Sequence, residues 1–103
     1  MWILKQTEIE EGDEPLTFRM SDGNVRTIGR ATRADFIVDA TLVSRVHCRL
    51  TSTTDGRLQI EDLDSTNGTY VNGKKISRAE LKDGDQIGIG RVTLQVHWVT
   101  RVH

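Results

Sequence analysis

Three short polar segments of this chain carry side chains that could do chemistry together. The first is Gly29-Arg30, the second is Val43-Ser44-Arg45-Val46-His47-Cys48, and the third is Asp64-Ser65-Thr66-Asn67-Gly68-Thr69, which runs on into Tyr70-Val71-Asn72-Gly73. Arg30 offers five N–H donors in a planar fork suited to carboxylate or phosphate oxygens. Alone, an arginine at a strand end is ordinarily just solvated. Ser44 can give an anion one hydroxyl and one main-chain N–H, and Arg45 follows directly into the same space. A loop serine more often bonds its own backbone. In the third segment five of six residues have short polar side chains and the sixth is glycine. That is loop composition, with Gly68 expected at positive φ. It reads either as a self-bonded turn or as a site, with Thr66 given to a phosphate and Asn67 to a peptide main chain. Asn suits the second task because its amide both donates and accepts. His47 reads as a structural histidine that ties neighbouring loops by hydrogen bonds, on the strand face opposite Val46 and Cys48. Together the three segments suggest one small anion site.

The elements that must position them have a period of two. Leu16, Phe18 and Met20 alternate with polar residues, as do Leu58 and Ile60, and Val92, Leu94, Val96 and Trp98. Each is the pattern of a half-buried strand. Strands are expected near residues 2–6, 16–20, 25–28, 36–38, 46–53, 57–62, 69–71, 85–89 and 92–99. No window shows a helical stripe, and Ser77 to Lys82 is expected to form one helical turn at most. Turns fall at Gly12-Asp13-Glu14-Pro15, Ser21-Asp22-Gly23-Asn24, Thr54-Asp55-Gly56, Asn72-Gly73, Asp83-Gly84 and Gly90. Asn72-Gly73 is the strongest short hairpin signal among them. Short strands broken by frequent turns predict an all-β sandwich or barrel, whose loops gather at its ends.

Composition narrows the function classes. The chain has 103 residues, the size of one small domain. Its net charge of -1, from 14 basic and 15 acidic residues, leaves no electrostatic footprint for nucleic acid. A local basic patch from Arg26, Arg30, Arg33 and Arg45 is still compatible with that balance. No apolar run approaches the ~18 residues of a membrane span, and the start shows no signal-peptide hydrophobic region. A cytoplasmic chain, nuclear if eukaryotic, or a piece cut from a longer one is expected. The single Cys48 can make neither an internal disulfide nor a metal cluster.

An enzyme is the first rival reading, with Ser44 and His47 as a nucleophilic pair and Asp35 or Asp39 as orienter. His47 and Cys48 are adjacent in a strand and point to opposite faces, so they form no dyad. No Gly-x-Ser-x-Gly elbow and no metal-ligand spacing occur. Gly88-Ile89-Gly90 reads as a turn, without a following helix for a dinucleotide. Non-catalytic binding, without metal or cofactor, is the expectation.

The order of motifs carries a resemblance. Gly29-Arg30 is followed fourteen residues on by Ser44-Arg45-x-His47, then by Ser65-Thr66-Asn67-Gly68-Thr69-x-Val71-Asn72-Gly73, then by Leu81-x-x-Gly84-Asp85-x-Ile87-x-Ile89-Gly90. This pattern resembles a forkhead-associated (FHA) domain, and the flanking strands extend the likeness over nearly the whole chain. Residues 1–103 are then one FHA domain, with its core motifs between Ile28 and Gly90.

The resemblance implies a β-sandwich of about eleven mostly antiparallel strands, with binding loops at one end, that recognises phosphothreonine in a partner protein modified by a Ser/Thr kinase. Arg30, Ser44 and Thr66 match positions of the phosphothreonine site, and Arg45 matches a second polar or basic contact. Asn67 matches the asparagine that holds the peptide main chain. Gly29, His47 and Gly68 match residues that shape the loops. Val46 stands where many members have a basic residue, which makes the rim less positive. The alternative is an FHA-like module that assembles with a partner regardless of phosphate. A modified Thr7, in the acidic segment Thr7-Glu8-Ile9-Glu10-Glu11, is a conceivable internal ligand. As the end of the first strand it is expected not to reach the site.

Overall fold

The computed structural model describes residues 1–100. Eleven strands follow in chain order: β1 (Trp2–Thr7), β2 (Thr17–Met20), β3 (Val25–Gly29), β4 (Phe36–Ile37), β5 (Cys48–Ser52), β6 (Leu58–Asp62), β7 (Thr69–Val71), β8 (Lys74–Ile76), β9 (Arg78–Leu81), β10 (Gln86–Ile89) and β11 (Val92–Trp98). They form two sheets, β2-β1-β11-β10-β7-β8 and β4-β3-β5-β6-β9. Pairing is antiparallel except between β3 and β4. The sandwich of about eleven mostly antiparallel strands is borne out.

Alternation puts one face of each sheet inward. Leu4, Ile87, Ile89, Leu94 and Val96 from the first sheet meet Ile28, Leu50, Leu58 and Ile60 from the second, all fully buried. Burying such a side chain contributes roughly 1.5–3 kcal/mol, which makes this inner layer the main force holding the sheets together. Two aromatic contacts close the sandwich. Phe18 on β2 stacks on Phe36 of β4, with ring centroids 4.7 Å apart, joining an edge strand of one sheet to an edge strand of the other. Trp2 meets Trp98 edge-on and its indole Nε1–H donates to the Gly56 carbonyl at 3.1 Å, tying β1 to the β5–β6 turn.

One sequence expectation is overturned. Ser77 to Lys82 contains a strand, β9, paired with β6 from Leu58↔Leu81 to Glu61↔Arg78. Arg-Ala-Glu-Leu consists of good helix formers. The pairing wins because alternation places Leu81 inside, half-buries Ala79 and leaves Arg78 and Glu80 in solvent. The preceding strand β8 was also not foreseen; it is the return arm of the Asn72-Gly73 hairpin, whose turn residues both have positive φ. The strand expected over 46–53 is shorter, Cys48–Ser52.

Register decides where the polar segments go. Ile28 pairs with Cys48, and Cys48 pairs with Asp62, so β3 ends, β5 begins and β6 ends side by side. The segments 30–35, 38–47 and 63–68 therefore emerge at one end of the sandwich.

Candidate functional site

Gly29 closes β3 where a side chain has no room. A Cβ built there would lie 2.1 Å from the Arg45 carbonyl oxygen, a backbone atom that cannot step aside. This close approach lets Arg30 N–H donate to the Ser44 carbonyl at 2.9 Å and Ala31 N–H to the Arg45 carbonyl at 3.1 Å. The Arg30 side chain is then aimed by its own Nε–H, which donates to the Val43 carbonyl at 3.1 Å. Its two Nη groups make no protein hydrogen bond among the described residues.

Ser44 is more heavily used than its sequence suggests. Its N–H donates to His47 Nδ1 at 3.0 Å, and its Oγ accepts the Thr66 N–H at 3.0 Å. The expectation that Ser44 offers an anion both a hydroxyl and a main-chain N–H is therefore corrected: the N–H is committed to the imidazole. The hydroxyl hydrogen stays free, because Oγ acts only as an acceptor toward Thr66.

His47 is fully buried, and its Nε2–H donates to the Gly68 carbonyl at 2.8 Å. One ring thus joins two loops through their backbones. The neighbouring Cys48 is buried too, in the apolar layer between the sheets. With both nitrogens committed to main-chain groups, His47 has none left to serve as a base toward Ser44. Burial, with Asp62 adding to it, pushes the Cys48 thiol up to about 12, so it stays protonated. Asp35, once considered as an orienter, instead accepts from the N–H and hydroxyl of Thr27. Geometry opposes the catalytic reading at each of these residues.

The third segment is fixed from below by Asp62, a residue the sequence reading did not single out. Its carboxylate accepts from Ser65 Oγ at 2.5 Å, from Ser65 N–H at 3.2 Å and from Thr69 Oγ1 at 2.7 Å. Ser65 Oγ in turn accepts the Gly68 N–H at 3.0 Å. Burial alone would raise the Asp62 carboxyl, but the hydrogen bonds from Ser65 and Thr69 outweigh it and hold it below the usual carboxylate range. Gly68 sits at φ 88°, as expected, and Asp64 at φ 58°. The signal that could have revealed Asp62 is its spacing, three residues before Ser65 and seven before Thr69 in a loop of small hydroxyl residues.

These supports bound an open cleft of about 930 Å³. Arg30, Ser44, Arg45, Thr66 and Asn67 all line it, as does Arg33. Arg26 does not; its guanidinium donates to the Val25 carbonyl. Asp39 and Asp64 stand against the three arginines of the lining. Asn67 donates from Nδ2 to the Leu42 carbonyl at 3.0 Å, which leaves its Oδ1 and second amide hydrogen for something else. Thr7, the last residue of β1 and paired with Thr93, is not part of the lining. Among the described residues no group of three His, Cys, Asp or Glu side chains is placed to hold a metal ion. No helix there is long and apolar enough to cross a membrane.

Comparison with known proteins identifies the family. A family model described as FHA domain matches residues 26–90. The chain belongs to the FHA domain family. It is 43% identical over 79 residues to an ABC transporter ATP-binding/permease protein of Mycobacterium tuberculosis, covering 77% of this chain and 9% of that protein. It is 36% identical over 73 residues to the glycogen accumulation regulator GarA of Mycolicibacterium smegmatis, covering 71% of this chain and 46% of that one. The chain thus spans less than half the length of either relative. A solved FHA domain from work on phosphothreonine-dependent FHA domain interactions superposes with a TM-score of 0.84 at 29% identity, over 97% of this chain and 98% of that one.

Two predictions follow from the loop supports. His47→Ala removes two hydrogen bonds and leaves a cavity beneath both loops, and is expected to cost about 2–4 kcal/mol, read as a lower thermal midpoint; an unchanged midpoint would refute the bridging role. For Asp62→Asn, a carboxyl whose folded pKa is depressed contributes stability above its unfolded value near about 3.9 and loses that contribution as the pH falls through the folded value. The variant should be less stable than the parent at pH 7, by about 1 kcal/mol since the carboxylate is partly solvated. The gap should narrow below about pH 4. Urea midpoints at neutral and acid pH check this, and a gap independent of pH would refute it.

Proposed function

We propose that this domain recognises phosphothreonine in a partner protein, with Arg30, Ser44, Arg45 and Thr66 around the phosphate and Asn67 on the partner's main chain. The observation that carries this is the convergence of those five side chains on one cleft in an FHA family chain. A phosphothreonine brings about -1.5 to -2 charges and three strong acceptor oxygens. The free Nη groups of Arg30 can form a charged fork on two of them. The Ser44 hydroxyl has one hydrogen to give and the exposed Thr66 side chain another. Arg45 adds positive charge at the rim. Asn67 can pair one peptide unit of the partner through Oδ1 and its remaining amide hydrogen. Gly29, His47 and Gly68 shape this end without touching the ligand.

The domain acts by binding, in a pathway where a Ser/Thr kinase supplies the phosphate, and so in the compartment where such kinases work, the cytoplasm. Residues 1–103 serve as one recognition domain. The work on phosphothreonine-dependent FHA domain interactions supports this class of ligand.

Calorimetric titration with degenerate phosphothreonine, phosphoserine and unphosphorylated peptide pools tests the reading. Only the phosphothreonine pool should bind. Arg30→Ala and Ser44→Ala should abolish that binding while the circular dichroism of the fold persists. Charged hydrogen bonds contribute ~1.5–3 kcal/mol each, so losing two weakens binding more than about a hundredfold. Asn67→Ala should weaken every phosphothreonine peptide alike, since the main chain is common to all. Wild-type affinity in the Arg30 or Ser44 variant would sink the assigned site. Equal binding of all three pools would instead favour phosphate-independent assembly.

A further inference from the structure

The six-stranded sheet carries charge of one sign. None of its strands, β1, β2, β7, β8, β10 and β11, contains an aspartate or glutamate, in a chain with 15 acidic residues. Alternation settles which way its cations face. Leu4 and Met20 are buried and Ile76 packs against the core, so Lys5, Arg19 and Lys75 project from the outer face. None of the three makes an ion pair among the described residues. The outer face of the other sheet is neutralised within itself, because Arg49 on β5 and Arg78 on β9 both pair with Glu61 on β6. On the basic face Tyr70, 37% exposed, adds an aromatic ring beside Gly88, which has no side chain to cover it.

The complementary charge stands at a corner of that face. The β1–β2 loop leaves at Thr7 and returns at Thr17, and Glu8, Glu10, Glu11, Asp13 and Glu14 along it are all exposed. None of these carboxylates takes part in an ion pair among the described residues. The loop is nevertheless held in shape. At its base the Gln6 N–H donates to the Leu16 carbonyl at 2.8 Å, and at its tip the Asp13 N–H donates to the Glu10 carbonyl at 3.1 Å. Ile9, 40% exposed, puts an apolar side chain among the acids. The loop begins and ends on the strands that carry Lys5 and Arg19, yet within one chain the two sets of charges do not meet.

We propose that the outer face of the six-stranded sheet docks the β1–β2 loop of a second copy of this chain, in a two-fold dimer where each loop lies on the other's face. Two basic faces alone would repel, so the face requires a surface of opposite sign. The loop supplies it, with five of the chain's 15 acidic residues between positions 8 and 14. A two-fold axis satisfies both contacts at once and closes the assembly at two copies. Ile9 then has Ile3 and Tyr70 as apolar surface to cover. No residue of the six strands lines the arginine cleft, so docking on the sheet leaves it open. The dimer therefore presents two clefts to one partner, a gain in avidity without a new contact to the ligand.

Sedimentation equilibrium with charge reversals tests this. The wild-type chain should be dimeric at about 0.02 M salt and monomeric at about 0.5 M, where surface charges are screened. Lys5→Glu with Arg19→Glu reverses the face, and Glu10→Lys with Glu11→Lys reverses the loop. Each double variant alone should be monomeric at low salt. Mixed, they should form a heterodimer, since each face again meets a loop of opposite sign. Circular dichroism checks the fold of each; where a reversal unfolds the chain, Lys5→Gln with Arg19→Gln takes its place and should weaken association about tenfold. A wild-type chain that stays monomeric at low salt up to millimolar concentration overturns the proposal, as does a dimer indifferent to both reversals or a mixture that stays monomeric. Dissociation of the dimer by the phosphothreonine peptide pool also overturns it, because that places the loop in the arginine cleft of the second copy. Failure of that pool to bind removes the phosphothreonine reading and leaves the dimer standing.

Discussion

The binding end depends on a single imidazole that must be neutral to do its work. His47 Nδ1 can accept the Ser44 N–H only while it carries no proton of its own, and Nε2 then carries the hydrogen that reaches the Gly68 carbonyl. Both bonds go to main chain, so the ring fixes the paths of two loops and leaves their side chains unencumbered. From the other side the Asp62 carboxylate collects Ser65 and Thr69, and Ser65 passes the restraint on to the Gly68 N–H. Gly68 is thereby held at its nitrogen through Ser65 and at its oxygen by His47. A polar network that is satisfied at each of these atoms rigidifies its surroundings, whereas one missing partner would leave a buried group unpaired.

The division between holding and binding follows from this. Groups beneath the loops are used up, and groups facing the cleft keep donors in reserve. Ser44 shows the division inside one residue: its N–H, its carbonyl and a lone pair of Oγ are committed, and only the hydroxyl hydrogen is free. Arg30 shows it again, with Nε spent on aim and the Nη groups unspent. Loops ordered before a ligand arrives lose less freedom on binding it. Three arginines gathered around one cleft, with two aspartates among them, also leave an excess positive charge there despite a chain whose net charge is slightly negative.

Much of this was legible in the residues, and the failures have physical causes. The two-residue period revealed nine of the eleven strands, because alternation is a property of side chains and sequence displays side chains directly. Strands β8 and β9 escaped because they are short and polar and are specified by partners: β8 by the hairpin turn that precedes it, β9 by pairing to β6. Arg30, Ser44, Arg45, Thr66 and Asn67, grouped from sequence, all line one cleft. What could not be read was which of their atoms remain available. The Ser44 N–H was credited to a ligand and turned out to belong to His47. Asp62 went unnoticed since an aspartate at a strand end is unremarkable until Ser65 and Thr69 fold back onto it.

Leu42 marks the limit of such reading most clearly. Nothing in the type or spacing of a leucine between Thr41 and Val43 announces a left-handed backbone, and the periodic patterns that reveal strands are silent on φ. The conformation is imposed from elsewhere: by Gly90, whose missing side chain lets the turn approach, and by Asn67, whose amide takes the exposed carbonyl. Those contacts reach the Leu42 carbonyl and its Cβ, groups that every non-glycine residue has, so they fix the geometry and leave the rest of the side chain undetermined.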